Sequence, residues 1–347
     1  MEGTYERFLY WGKKVGEKSS IFIIAEIGVN HNGNIDLAYK LIDLASKAGA
    51  DAVKFQMFYP EKLCSEIYRK DEIEMLKKYV LSFENMKKLR DYTYSLGLEF
   101  IVTPFDFKSL DDIINLDCSA IKVASGELTH IPFIKKAASY NKPLIISTGA
   151  SNLSDVERAV IAIKSVTDEK ISILHCVSTY PSPDECLNLR ALKTLEVAFN
   201  DCIIGFSDHS LGYTASNLAV ALGASIIEKH ITLDKNLKGP DHKASASQGE
   251  FVNMVYDIRK AEKMLGDGYK KPQACEEIIG RSIVAARDLE AGEVLRKEDI
   301  DYKRPGWGIR PYDENKIIGA HLQKSIKKDD ILQLDYFMRK IGDQNGR

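Results

Sequence analysis

Eight short runs of almost unbroken apolar residues lie between positions 21 and 230, with longer helix-period segments between them. The runs occupy 21–28, 51–56, 98–103, 119–124, 142–148, 171–177, 202–207 and 224–230. A strand with one wet face alternates apolar and polar side chains. A run that is apolar throughout is covered on both faces, as in a parallel sheet. Parallel neighbours need long crossovers, and amphipathic stretches supply them. In IDLAYKLIDLASKAG (35–49) the apolar residues at 37, 41, 42 and 45 share one helical face, and Gly49 fits a C-cap. Asn152 reads as the start of another helix. Eight strand–helix units are the count of a (β/α)8 TIM barrel. An open doubly wound sheet does not need eight, and no GxGxxG follows the first run.

A barrel of about 250 residues leaves part of the 347-residue chain over, and the pattern changes after position 266. The expected organisation is a barrel over 1–266, a polar linker over 267–278, a small β-rich module with glycine turns over 279–340 and a tail over 341–347. Within about 1–18, FLYWGKKVGE reads as a hairpin closing the barrel floor. A net charge of -2 gives no basic field, so nucleic acid is not an expected partner. No stretch approaches 18 consecutive apolar residues, and the charged start lacks a signal-peptide core, so neither membrane nor export is expected. Six cysteines scattered without CxxC spacing read as reduced thiols of a cytoplasmic protein, with Cys118, Cys176 and Cys202 as core filler.

Each run ends in polar residues, and in a parallel barrel that end carries the chemistry. In chain order they are Glu26, Lys54 with Gln56, Thr103, Lys122 with Ser125 and Glu127, Ser147 with Thr148, Ser178 with Tyr180, Ser207 with His209, and His230. Two lysines and several hydroxyls on one mouth suit a small, highly charged anion such as phosphate. Lys54 and Lys122 with Thr103, Ser125, Ser147 and Ser207 would form that pocket; the alternative is rim salt bridges. Glu26 and Glu127 would move protons or ligate a cation, or else balance those lysines. His209 and His230, delivered from the ends of two neighbouring strands, are what a divalent-metal site needs. His175, inside its run, reads as a satisfied core histidine, and His242 as a loop residue able to touch substrate.

Ten segments in register resemble the sialic acid synthase family: AEIGVNHNG (25–33), VKFQ (53–56), TPFD (103–106), KVASGE (122–127), STG (147–149), LHCVSTYPSP (174–183), GFSDHS (205–210), EKHITLD (228–234), GPDHKAS (239–245) and KRPGWGI (303–309). Members condense phosphoenolpyruvate with an N-acylated hexosamine to give nine-carbon α-keto acids. The C-terminal module resembles the family's antifreeze-like (SAF) domain. The resemblance implies that His209 and His230 hold the metal, and that Lys54, Thr103, Lys122, Ser125, Ser147 and Ser207 form the phosphoenolpyruvate pocket. It places Glu26, Gln56, Tyr180 and Asp241 on the sugar and Glu127 near the reacting centre. Ser178 stands where several relatives carry Asn, and SASQGEF (245–251) replaces an acidic run beside the metal. Arg304, with Arg310 as fallback, matches an arginine that a partner subunit's SAF domain places on the sugar's acyl group. A domain-swapped homodimer is therefore expected. VKFQMF and GPDHKAS resemble legionaminic-type and bacterial sialic acid members more than pseudaminic ones.

Two imidazoles plus oxygen ligands do not fix the metal; Mn²⁺ leads, with Co²⁺ or Mg²⁺ open. Glu26 and Glu127 are the proton-moving groups, their roles interchangeable. Three rival readings stand beside this one. Synthases of eight- or seven-carbon keto acids also condense phosphoenolpyruvate with an aldose, but lack an antifreeze-like module. A Schiff-base aldolase would use Lys122. A carbohydrate-binding module fused to a dead barrel would not need the Lys54, Lys122, Glu127, His209 and His230 set.

Overall fold

Every apolar run forms a strand in the computed structural model, which describes residues 8–10, 13–15 and 20–337. The strands are β3 (Phe22–Gly28), β4 (Ala52–Met57), β5 (Glu99–Pro104), β6 (Ala120–Val123), β7 (Leu144–Ser147), β8 (Ile171–Cys176), β9 (Ile203–Asp208) and β10 (Ile226–His230). They pair in parallel in chain order, and β10 returns to β3 to close the barrel. The arms of the expected N-terminal hairpin, β1 (Phe8–Tyr10) and β2 (Lys13–Val15), pair antiparallel. The tail at 341–347 lies outside the described residues. The chain divides into two compact units, Met1–Asp267 and Gly268–Arg347.

Both faces of each barrel strand are buried, which explains why the runs lack alternation. Outward residues such as Ile23, Ala25, Val53, Phe100, Val102 and Ile146 pack against the helices. Inward residues Phe22, Ile24, Ala52, Ile101, Ala120, Ile145, Leu174, Ile203 and Ile226 fill the lumen as a second cluster. Full burial of each large side chain stabilises by about 1.5–3 kcal/mol. Gly205 lies in this layer because nothing larger fits: a Cβ there would meet Leu174 Cδ2 at 2.5 Å and the Ile226 carbonyl oxygen at 2.7 Å.

The crossover helix Ile35–Ala48 buries Ala38, Leu41, Ile42 and Ala45. Asn34 caps its start by accepting from the Asp36 and Leu37 amides, and Gly49 ends it at φ 83°. Asn152 begins the helix Leu153–Lys164 with a reciprocal capping box to Asp155. No helix among the described residues is long and apolar enough to cross a membrane.

The second unit holds its own core, including Ile283, Leu289, Leu295, Ile309, Leu322, Ile326 and Leu332. It is less strand-rich than its sequence implies. β11 (Ser282–Ala285) and β12 (Ile300–Lys303) form a two-stranded antiparallel ribbon. Short 3-10 turns at Lys297–Asp299, Pro311–Lys316 and Leu334–Tyr336 and isolated bridges such as Leu289–Ile326 complete it.

Candidate active site

Side chains two apart on a strand share a face. Stepping two residues from the apolar lumen layer toward the strand ends turns Ile24 into Glu26, Ala52 into Lys54, Ile101 into Thr103 and Ala120 into Lys122. The same step turns Ile145 into Ser147, Leu174 into Cys176, Gly205 into Ser207 and Ile226 into Glu228. One polar residue per strand thus forms a ring on an apolar floor. The ring lines a cavity of about 180 Å³ that also takes in Gln56, Phe105, Ser125, Ser178, Tyr180, His209 and His230.

Four charges sit in the ring, each at most 4% exposed: Glu26, Lys54, Lys122 and Glu228. Lys54 Nζ lies 2.8 Å from Glu26 Oε2 and 3.7 Å from Glu228 Oε2, and donates to Thr103 Oγ1 at 2.9 Å. Lys122 Nζ lies 3.5 Å from Glu228 Oε1 and donates to the Ser147 hydroxyl. Ser207 Oγ donates to Glu228 Oε1 at 2.8 Å, and Gln56 Nε2 to Glu26 Oε1 at 3.2 Å. Buried charges persist only when paired, and two of each sign leave the ring neutral.

The environments split otherwise similar groups. Burial raises Glu26, and Lys54 offsets this only in part. Burial alone would raise Glu228 too, but Lys122, Lys54 and the Ser207 hydroxyl bring it down to about 2. Burial opposes charge on Lys54, yet Glu228 and Glu26 hold it above the ordinary lysine value. Lys122 has no carboxylate as close as the Glu26–Lys54 contact, and burial pushes it below that value.

The imidazoles of His209 and His230 stand 5.5 Å apart between centroids, and the Tyr180 ring is 4.1 Å from that of His209. His209 Nδ1 donates to the Val177 carbonyl at 2.7 Å, which turns Nε2 to other partners. His230 Nδ1 is buried without a hydrogen-bond partner, and burial pushes this histidine down to about 4, so it is neutral near pH 7. Gly28, at φ 56°, gives it room: a Cβ there would stand 3.3 Å from His230 Cε1 and 3.2 Å from Glu26 Oε1. An orphaned neutral nitrogen beside a second oriented imidazole is a donor set that fits a divalent cation. Among the described residues no three His, Cys, Asp or Glu side chains cluster as a complete metal cage. Any remaining ligands would be oxygens from water or substrate.

Thirteen residues predicted from sequence are thereby placed, twelve of them on the cavity wall: Glu26, Lys54, Gln56, Thr103, Lys122, Ser125, Ser147, Ser178, Tyr180, Ser207, His209 and His230. The thirteenth, Asp241, puts Oδ2 3.8 Å from His230 Nδ1. Asn30 ties down its loop by donating to Ile231 O and to Ser245 Oγ, both at 2.8 Å, and Ser245 Oγ donates to Asp241 O at 2.7 Å. Glu127 is not on the wall. It ends the 3-10 turn Ser125–Glu127, whose three residues per turn point it away from Ser125, and it faces His130 Nδ1 at 3.2 Å. Arg304 follows β12 in the second unit.

His242 is fully buried against Thr232 Oγ1 at 2.8 Å, so it is a structural residue and not a substrate contact. His175 bonds Leu187 O at 2.7 Å, so it is satisfied as expected, but it is half-buried on the wall of a second cavity and not in the core. Sequence reasoning missed two polar wall residues, Cys176 and Glu228. Glu228 was hidden inside an apolar run. Cys176 is not filler: its Sγ lies 3.7 Å from His209 Nδ1 and 3.6 Å from Ser125 Oγ.

Residues 41–270 match the model of the NeuB family, and residues 280–338 match the SAF domain. The chain is 42% identical to the N,N'-diacetyllegionaminic acid synthase of Legionella pneumophila over 90% of this chain and 94% of that protein. The crystal structure of spore coat polysaccharide biosynthesis protein spsE from Bacillus subtilis is 36% identical, with a TM-score of 0.68 over 96% of this chain and 99% of that one. That of the N-acetylneuraminic acid (sialic acid) synthetase from Leptospira borgpetersenii is 34% identical, with a TM-score of 0.74 over 78% and 94%.

Proposed function

The chain belongs to the NeuB family and is an enzyme of its synthase class, and from that premise we propose that it condenses phosphoenolpyruvate with an N-acylated hexosamine. The product is a nine-carbon α-keto acid of the legionaminic or sialic type, with release of phosphate. One observation carries the reading: a neutral ring of two lysines and two carboxylates at the bottom of a cavity whose upper wall bears two facing imidazoles. Identity to a legionaminic acid synthase along nearly the whole chain supports the legionaminic type.

Lys54 and Lys122, with Thr103, Ser125, Ser147 and Ser207, hold the phosphate and carboxylate of phosphoenolpyruvate. A divalent cation on His209 and His230, Mn²⁺ foremost with Co²⁺ or Mg²⁺ as alternatives, would supply Lewis-acid polarisation of the open-chain aldehyde. Gln56, Tyr180 and Asp241 orient the sugar, and Ser178 lines the same mouth. Attack by the enolpyruvate carbon leaves a cationic centre that water quenches before phosphate departs by C–O cleavage. Glu26, raised and next to Gln56, is the group able to exchange a proton there, while Glu228 stays ionised and steadies both lysines. Glu127, off the wall, is left to orient His130. Arg304 of a partner subunit's SAF domain completes the sugar site in a homodimer.

The test is phosphate release from phosphoenolpyruvate against N-acyl mannosamines and 2,4-diacetamido sugars, with Mn²⁺ added or removed by EDTA. Sugar-dependent release that EDTA abolishes and Mn²⁺ restores is expected; full turnover in chelated protein refutes the metal role. The depressed Lys122 favours one other reading, a Schiff-base aldolase. Borohydride trapping of a pyruvate adduct on Lys122 would replace the condensation reading with that one.

A further inference from the structure

A charged residue precedes each of the two facing histidines, and those two charged residues meet. Because side chains alternate across a strand, Ser207 and His209 face the lumen while Asp208 between them faces outward. Glu228, Lys229 and His230 repeat the pattern on β10. The register sets Ser207 opposite Glu228 and Asp208 opposite Lys229. Two successive rungs are therefore cross-linked on opposite faces of the sheet. Inside, Ser207 Oγ donates to Glu228 at 2.8 Å. Outside, Lys229 Nζ lies 3.0 Å from Asp208 Oδ2, with side chains 1% and 0% exposed.

Both members of the outer pair have further hydrogen-bond partners. Asp208 Oδ1 accepts from Ser210 N at 2.9 Å and Ser210 Oγ at 2.7 Å, and Oδ2 accepts from Ser216 Oγ at 2.6 Å. Lys229 Nζ also donates to the Ser210 carbonyl at 2.9 Å. Lys229, Asp208, Ser210 and Ser216 do not line the cavity. A buried ion pair is a poor device for stability, because neutral residues of equal volume commonly serve as well; its better-attested use is to specify register. Register matters here, since a one-residue slip of β10 would turn His230 to the helix layer and Lys229 into the lumen.

We infer that Asp208 and Lys229 are positioning residues whose buried ion pair locks the ends of β9 and β10 so that His209 and His230 form one two-imidazole cation seat. The inference rests on the metal reading above. It assigns a role to the middle residue of SDH (207–209) and of EKH (228–230), which the substrate pocket leaves unused.

The double variant Asp208→Asn/Lys229→Met removes both charges at nearly constant volume, and the amide oxygen can still accept from Ser210 while the amide nitrogen donates to the Ser216 hydroxyl. The probe is Mn²⁺ alone, with free ion counted by electron paramagnetic resonance, and folding followed by circular dichroism. The wild-type chain should bind Mn²⁺. The folded double variant should bind it 10- to 100-fold more weakly, the usual cost of losing the groups that orient metal ligands. Ser216→Ala, milder and remote from the cavity, should move the affinity several-fold in the same direction. A purely structural pair would lower the melting temperature and leave Mn²⁺ affinity of the folded protein unchanged, and that result overturns the inference. If the double variant does not fold, Ser216→Ala decides alone, and an unchanged Kd overturns it. If the wild-type chain binds no Mn²⁺, the metal reading fails and this inference falls with it.

Discussion

Replacing Glu228 with glutamine tests the electrostatic logic of the polar ring. The carboxylate lies 3.5 Å from Lys122 Nζ and 3.7 Å from Lys54 Nζ. At an effective dielectric of about 20, each contact corresponds to roughly 4–5 kcal/mol of bare attraction. Desolvation offsets much of that, and breaking one partner of a buried pair costs about 3–5 kcal/mol net. For a barrel of this size the melting temperature should fall by roughly 10 °C in ligand-free protein. Glutamine leaves two ammonium groups facing one carboxylate, Glu26. An anionic ligand then supplies the missing charge, where in the wild-type chain it meets Glu228 as a like charge. Saturating phosphoenolpyruvate should therefore raise the melting temperature of Glu228→Gln by several degrees more than that of wild type, as scanning fluorimetry would read directly. Two results would refute the reasoning: a ligand-free variant melting within about 3 °C of wild type, or an equal ligand shift in both proteins.

Lys122→Ala should weaken phosphoenolpyruvate binding by one to two decades, the worth of a charge-assisted contact at about 1.5–3 kcal/mol, while the sugar KM holds; the reverse pattern in steady-state kinetics would mean Lys122 serves the sugar. Burial holds His31 and His230 at about 4 against an ordinary 6.5. The unfolded chain takes up those protons first, so stability is full above about pH 6.5 and falls toward pH 4, by about 3 kcal/mol per histidine. His209, held above its ordinary value by Cys176 and Val177 against burial, works in the opposite sense: its contribution is full below about pH 6.5 and is lost as pH rises past its folded value. Metal-free melts from pH 7 to 4.5 would check the sign, and a flat profile would contradict it. Mixing inactive Arg304→Ala chains with inactive His209→Ala chains should restore activity in verified heterodimers, because one site then receives both an intact barrel and an intact arginine; no recovery would mean that the arginine does not act across subunits.

Strand positions were legible because buried parallel strands leave unbroken apolar runs, and each run overlaps its strand to within about two residues. Helix ends were legible where a cap was local, as at Asn152 and Gly49. Glu228 escaped for a physical reason. It sits in ASIIEKH, where the eye stops at His230, yet period two already puts both on one face. The same step from Leu174 reaches Cys176, whose pairing with His209 comes from a neighbouring strand and is invisible to spacing along the chain. Glu127 failed to reach the wall because a 3-10 turn, which no run of residues announced, rotates it off Ser125. Arg304 belongs to a separate unit, and only the resemblance to the family pointed it to the sugar.

The apolar layer under the ring makes the barrel a blind-ended well. Phe22, Ile24, Ile101, Ile145 and Leu174 fill the lumen, and Gly205 shows how little space is left there. His209 and His230 stand two residues beyond Ser207 and Glu228, roughly 6–7 Å nearer the mouth at about 3.3 Å per residue. On the proposed reading, whatever binds Lys54 and Lys122 must pass the histidines first. A sugar seated at the mouth therefore blocks the way down. Turnover becomes a queue: phosphoenolpyruvate enters ahead of the sugar, and phosphate freed at the bottom waits behind the keto acid unless it slips past. Such a site should show compulsory-order kinetics, with the sugar inhibiting at high concentration by occupying an empty well.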